Sequence, residues 1–224
     1  MAKNKLKKFR ENESFWNMIQ PTREELLKGH PLKGKWRTDF FRNENPIVLE
    51  LGCGKGDYTI GLAKLYPNTN FVGIDIKGAR MHTGAKIGVE ENIPNAGFLR
   101  SQIELLSHCF AENEIDEIWI TFPDPQIKYK RKKHRMTNPE FLAMYQKLLK
   151  PGGVVHLKCD SEFLHGYTHG IVEMLGYRVL EAYHDIDLQL KEPEHVLFTV
   201  KTFYEQMWRE KGKAITYLKF AFPE

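Results

Sequence analysis

Short apolar runs alternate with helical periods through the middle of this chain. Ile47-Val48-Leu49-Glu50-Leu51, Phe71-Val72-Gly73-Ile74, Ile118-Trp119-Ile120-Thr121-Phe122, Val154-Val155-His156-Leu157-Lys158 and Arg178-Val179-Leu180-Glu181-Ala182 read as strands. A weaker strand lies near Gly97-Phe98-Leu99-Arg100. Helical spacing covers Asp57 to Tyr66, Gly78 to Asn92, Asn138 to Leu149 and Glu162 to Leu175. After a polar loop, Lys201 to Glu210 looks helical and Ile215 to Phe222 alternates as a last strand. Apolar strands separated by helices predict an α/β fold, a seven-stranded, mostly parallel sheet with helices on both faces.

The N-terminal part follows no such pattern. Residues 1 to 30 are polar and basic around Phe9, Phe15, Trp16 and Ile19, which predicts a basic, partly mobile arm with a few aromatic anchors. His30 to Asn45 holds Pro31, Gly34 and Trp36 and reads as an irregular lead-in to a single domain over residues 31–224. At 224 residues the chain is long enough to bury a substantial core.

Charge is more informative by position than in total. The net charge is +4, yet Lys3, Lys5, Lys7, Lys8 and Arg10 contribute +5 and Lys128, Lys130, Arg131, Lys132, Lys133 and Arg135 contribute +6. The rest of the chain is therefore at −7. Two basic islands on an acidic body point to a localised polyanion. The three cysteines, Cys53, Cys109 and Cys159, form no C-x-x-C pair, which fits a reducing cytoplasm. No apolar run is long enough to span a membrane, and the basic start lacks the apolar core of a secretory signal.

Two stretches carry candidate chemistry. Glu50-Leu51-Gly52-Cys53-Gly54-Lys55-Gly56-Asp57 is a strand-to-helix turn whose glycines let a ligand lie against bare backbone. Asp75 closes the next strand 19 residues after Gly56, where an acid can accept both hydroxyls of a ribose. Glu50 is an acid aimed at the turn, which a pyrophosphate would disfavour and an ammonium would favour; its alternative role is to cap the following helix. Ribose and ammonium together describe S-adenosylmethionine better than a nicotinamide dinucleotide. In the second stretch, Pro123 and Pro125 hold Asp124 at a strand end, and the cationic run follows directly.

ELGCGKG with the downstream GID resembles the class I, Rossmann-like S-adenosylmethionine-dependent methyltransferases. FPDPQIKYKRKKHR resembles the signature of bacterial tRNA (guanine-N7)-methyltransferases. Thr202-Phe203-Tyr204-Glu205 and Cys159-Asp160 resemble two further motifs of that family, in the same order. The resemblance implies methyl transfer from S-adenosylmethionine to N7 of a guanosine in the tRNA variable loop. It implies a cofactor site at Glu50, Gly52, Gly54, Asp75 and Asp124, with adenine near Ser101 and Gln102, where an acid common in the family is missing. It also implies guanosine contacts from Lys128, Asp160, Thr202 and Glu205, and RNA held by Lys130, Arg131, Lys132, Lys133 and Arg135. The tryptophan that the family carries after the second proline is Gln126 here.

The chemistry is consistent with that implication. Guanine N7 has an in-plane lone pair, so methylation needs alignment rather than a base. A carboxylate facing the guanine N1–H and amino group would stabilise the cation that forms, with Asp124 as the catalytic candidate and Asp160 or Glu205 as a second acceptor. Cys159 lies outside any nucleophile motif and reads as core. His165 and His169 have chelating spacing without a third ligand, so no metal is expected. Phe203, Tyr204, Met207 and Trp208 have helical spacing and read as core rather than as a base-stacking platform. The rival readings are a methyltransferase acting on protein or a small molecule, and a non-catalytic RNA-binding module. Monomer and homodimer both remain open.

Overall fold

The computed structural model describes residues 2–223, so Met1 of the arm and Glu224 of the domain lie outside it. Eight strands form one sheet: β1 (Met18–Ile19), β2 (Ile47–Leu51), β3 (Asn70–Asp75), β4 (Ala96–Arg100), β5 (Ile115–Thr121), β6 (Leu149–Cys159), β7 (Arg178–Tyr183) and β8 (Thr216–Ala221). Their order is β1-β4-β3-β2-β5-β6-β8-β7. All neighbours are parallel except β8, which runs antiparallel to both β6 and β7. Seven of these are the strands that the pattern predicts. The eighth, β1, is a two-residue edge strand that is too short to leave a periodic signal.

Among the described residues ten helices accompany the sheet: α1 (Ala2–Asn12), α2 (Arg23–Leu27), α3 (Asp57–Leu65), α4 (Gly78–Glu90), α5 (Leu106–Cys109), α6 (Pro139–Leu148), α7 (Glu162–Met174), α8 (Ile186–Gln189), α9 (Val196–Thr199) and α10 (Phe203–Glu210). Two apolar cores result, one on each face. One centres on Trp36, Leu49, Ile118, Tyr145 and Leu157; the other on Tyr58, Phe71, Phe98, Trp119 and Tyr217. Consecutive residues of β2 are buried on both faces, which is why its sequence shows no alternation.

The lead-in is more ordered than its sequence predicts. Trp36–Phe41 forms a turn of π-helix, with Trp36 fully buried and its Nε1–H donated to the Cys109 carbonyl (2.9 Å). Before it, α1 packs along α4: Asn12 donates to the Gly78 carbonyl (3.0 Å) and Glu11 pairs with His82 (2.7 Å). These contacts are tertiary, so local periodicity could not reveal them.

The strand order reverses between β2 and β5. In an open parallel sheet the crevice beyond the carboxyl ends at this reversal is where ligands bind. The β2–α3 turn, Asp75 and the loop after β5 all lie at that edge.

Candidate active site

Gly52, Gly54 and Gly56 all have left-handed backbone, at φ of +77°, +57° and +79°. Gly56 needs its hydrogen for a second reason, since a Cβ there would come within 2.5 Å of the Phe98 ring. The turn can therefore press α3 onto β4. Gly56 is also the residue before α3, and it has no side chain with which to cap the helix.

Glu50 supplies that cap. Its carboxylate accepts the Thr59 N–H (2.8 Å), the Thr59 hydroxyl and the Thr121 hydroxyl (2.7 Å). Burial at 3 % exposure raises its pKa to about 7. Glu50 is not among the residues that line the cavity; its bonds lock β2, α3 and β5 together. The capping role open in the sequence is the one observed.

Asp75 is poised at the surface of the crevice. One oxygen accepts the Gly54 N–H (3.1 Å) and the other accepts the Lys77 N–H (2.8 Å). In the chain it directly precedes Ile76 and Lys77, which line two different cavities. The larger, about 490 Å³, takes in Gly52, Gly54, Lys77, Asp124, Asp160 and Thr202. The smaller, about 130 Å³, lies between Ile76, Ser101 and Gln102 on strand ends and Pro21, Arg23 and Leu26 from the N-terminal segment. Ser101 is buried and donates its hydroxyl to the Gln102 carbonyl (2.9 Å), and Gln102 accepts from Arg23.

The loop after β5 is held under strain at both ends. Phe122 and Gln126 are non-glycine residues with left-handed backbone, at φ of +48° and +47°. Between them Asp124 is exposed, its Oδ1 accepting the Gln126 N–H (3.0 Å). The Phe122 N–H donates to the Lys158 carbonyl (2.8 Å), tying the loop to β6.

Beyond this loop a 3₁₀ turn, Tyr129–His134, exposes Lys130, Arg131, Lys132 and Lys133, with Lys128 just before it. Arg131 donates to Gln126 Oε1 (3.0 Å) and Lys132 to the Tyr129 hydroxyl (3.0 Å), so neither bond neutralises a charge. Asp124, Lys128, Lys130 and Arg131 line one groove of about 450 Å³. Arg135 departs from the run. It is 7 % exposed, donates to the Gln126 and Ile127 carbonyls (3.3 and 3.2 Å) and lies over the Phe163 and Tyr167 rings. These two bonds tie the loop to a buried side chain, so Arg135 is the anchor of the loop rather than an exposed RNA contact.

The other implied guanosine residues divide in two. Asp160 and Thr202 line the larger cavity, Asp160 with Lys213 3.5 Å away. Glu205 does not. It is fully buried, paired with Lys158 (2.8 Å) and Arg209 (3.0 Å), and its N–H donates to the Thr202 hydroxyl (3.0 Å). A capped first turn of α10 turns Glu205 inward. Its partner Lys158 was missed from sequence, although a lysine inside the apolar strand VVHLKC is a signal of a buried charge. Lys158 is fully buried, donates to the Leu197 carbonyl (2.7 Å), and has its pKa lowered by burial to about 8. Lys55 and Arg80, also unforeseen, line the cavity, and so does Tyr204, whose spacing reads as core.

The histidines do gain a third neighbour. His165 is 1 % exposed, with His184 at 5.0 Å and His169 at 6.2 Å between ring centroids. Among the described residues no set of three or more His, Cys, Asp or Glu side chains is arranged to hold a metal ion. Cys159 is buried in the core, as its sequence context predicts.

Residues 44–218 match the family described as "Putative methyltransferase". A tRNA (guanine-N(7)-)-methyltransferase of Christiangramia forsetii is 56 % identical over 220 residues, covering 98 % of this chain and 98 % of that protein. One from Porphyromonas gingivalis is 52 % identical over 196 residues, covering 88 % and 79 %. This chain belongs to the tRNA (guanine-N7-)-methyltransferase family. Solved structures share the fold at low identity. The 16S rRNA methyltransferase KamB gives a TM-score of 0.60 at 16 % identity, covering 80 % of this chain and 89 % of that one. A SAM-dependent methyltransferase from Aquifex aeolicus gives 0.53 at 16 %, covering 89 % and 98 %. Among the described residues no helix is long and apolar enough to cross a membrane.

Proposed function

We propose that this methyltransferase transfers a methyl group from S-adenosylmethionine to N7 of a guanosine in tRNA, in the variable loop as the family resemblance implies. The observation that carries the reading is one sheet edge where a glycine turn, a free carboxylate at Asp124 and an exposed cationic run adjoin. S-Adenosylmethionine, when bound, supplies an electrophilic methyl group on sulfur. The residues present fit it: Gly52 and Gly54 leave backbone bare along the cavity, and Asp75 directly precedes Ile76 and Lys77, which line the smaller and the larger cavity. Asp75 would hold the ribose, with Ile76, Ser101 and Gln102 around the adenine. Glu50 acts at one remove, by fixing the turn.

The chain's own task is then to position guanine and balance charge. N7 needs no deprotonation before it attacks, and its lone pair forms the new bond while the S–C electrons leave with sulfur. The guanine ring becomes a cation. Asp124 can accept the N1–H and the exocyclic amino group and so stabilise that charge. Asp160 lines the same cavity and is the second acceptor. Lys128, Lys130, Arg131, Lys132 and Lys133 hold phosphates.

The cytoplasm, where tRNA is found, is the compartment this reading requires. The test is incubation with labelled S-adenosylmethionine and total tRNA, followed by nucleoside analysis. Label in 7-methylguanosine is the expected result; label in another nucleoside, or only in protein, would refute the reading.

A further inference from the structure

Helix α10 is amphipathic in reverse. A surface helix normally buries its apolar stripe and shows its polar one. Here Glu205 and Arg209, one turn apart, face inward: Glu205 is fully buried and the Arg209 side chain is 20 % exposed, gripping Asp187 and Glu205. Tyr204 and Trp208, also one turn apart, line the cavity that holds Asp124, Asp160 and Thr202. Tyr204 is 39 % exposed and Phe203 52 %, where the helical spacing predicts core. Exposed rings gathered at a cavity mark a binding surface rather than a packing residue.

Of these three rings, one has no cation over it. The Lys55 ammonium lies 3.9 Å from the centre of the Phe203 ring, and Lys211 and Lys213 lie 4.6 and 4.3 Å from Trp208. Among the described residues no cation lies over Tyr204. Phe203 meets it edge-on (5.7 Å, 77°), and the Phe203 N–H donates to Asp57 (3.1 Å), which fixes this turn against α3. Tyr204 is thus a braced ring with a free face inside the cavity.

The proposed chemistry requires such a face. Attack by N7 occurs in the plane of guanine, so the N7 edge must point to the methyl group and the N1 edge to a carboxylate. Only the flat faces remain for holding the base, and an aromatic ring holds a flat face. We propose that Tyr204 stacks on the target guanine once it has left the RNA stack, and so presents N7 in plane. This assignment rests on the reading above.

The experiment compares wild-type, Tyr204→Phe and Tyr204→Ala enzymes in single-turnover methyl transfer to tRNA, with cofactor binding measured by calorimetry. Tyr204→Ala should lower kcat/KM for tRNA by roughly 5–150-fold, the range for one lost base–aromatic stack. Tyr204→Phe should restore most of the rate, and cofactor affinity should not move. A second readout uses tRNA carrying thienoguanosine, a fluorescent analogue that keeps the guanine N1–H and amino group, at the target position. In the bound complex its fluorescence should be more strongly quenched with wild type and Tyr204→Phe than with Tyr204→Ala. Should Tyr204→Ala fail to fold, Tyr204→Leu keeps apolar bulk without a π-face and should show the same loss. An active wild type with an equally active, equally quenching Tyr204→Ala overturns the assignment alone. A wild type that transfers nothing to tRNA removes the functional reading and this assignment together.

Discussion

Asp124 is exposed between two prolines, in a loop whose flanking residues Phe122 and Gln126 are both held in left-handed backbone. Such strain persists only where the surroundings impose it, here through the Phe122 bond to Lys158 and the Arg135 bonds to Gln126 and Ile127. Asp124→Asn keeps size and shape but sets an N–H donor against the guanine N1–H. The loss should fall on the transition state, with kcat lower by about 10²–10³ and tRNA binding little changed. Single-turnover rates at saturating tRNA and cofactor check this; a rate within threefold of wild type would make Asp124 a turn residue only. Glu50 gives a prediction in pH. Its carboxyl is raised from 4.5 to about 7 by burial, so between those values the folded protein holds a proton that the unfolded chain has released. The associated stabilisation is complete below about pH 4.5 and lost as pH rises through about 7. Glu50→Gln should abolish this dependence, so the stability of wild type relative to Glu50→Gln should fall across that window, by up to about 3 kcal/mol. Urea unfolding at pH 5 and pH 8 measures it, and a constant difference would show that Glu50 does not titrate there.

At the scale of elements, the seven longer strands and the helices α3, α4, α6, α7 and α10 were legible because their apolar positions recur at strand or helix period. The N-terminal elements α1, β1 and α2 were not, since they are fixed by contacts with α4, β4 and α5 rather than by local pattern. The same division holds in the site. Gly52, Gly54, Asp75, Asp124, Asp160 and Lys128 sit at the crevice because strand ends and turns can be read from sequence. Glu50, Arg135 and Glu205 face inward because each satisfies a helix start, a pair of loop carbonyls or a buried lysine that sequence does not display. The Lys158–Glu205 pair is the clearest case. Removing Lys158 leaves the buried Glu205 carboxylate with Arg209 as its one cation and its second oxygen unpaired, so Lys158→Met should cost about 3–5 kcal/mol. Adding Glu205→Leu should recover much of that loss, because the pair is replaced by apolar packing. Denaturant unfolding of the two single variants and the double variant forms the cycle; additive losses would mean that the two side chains act independently.

Across the whole molecule, the parallel sheet brings to one edge groups that are far apart in the chain: the turn at 52–56, Asp75, the loop at 122–126, Asp160 and the start of α10. The cationic run lies just outside the cavity, in the groove that begins at Asp124. Holding and chemistry should therefore be separable. Neutralising Lys130, Arg131, Lys132 and Lys133 together should weaken tRNA binding and flatten its log–log salt dependence by roughly 0.7–0.9 per lost phosphate contact. Cofactor affinity should stay as in wild type, and an unchanged salt slope would reduce the run to a solvated face. The central claim is narrower, that this sheet edge presents guanine N7 for methylation. Its most direct measurement is methyl transfer from labelled S-adenosylmethionine to two tRNA transcripts, one ordinary and one in which 7-deazaguanosine replaces guanosine. The account predicts label as 7-methylguanosine in the first and none in the second, which lacks the attacking nitrogen. Equal labelling of both transcripts would contradict it.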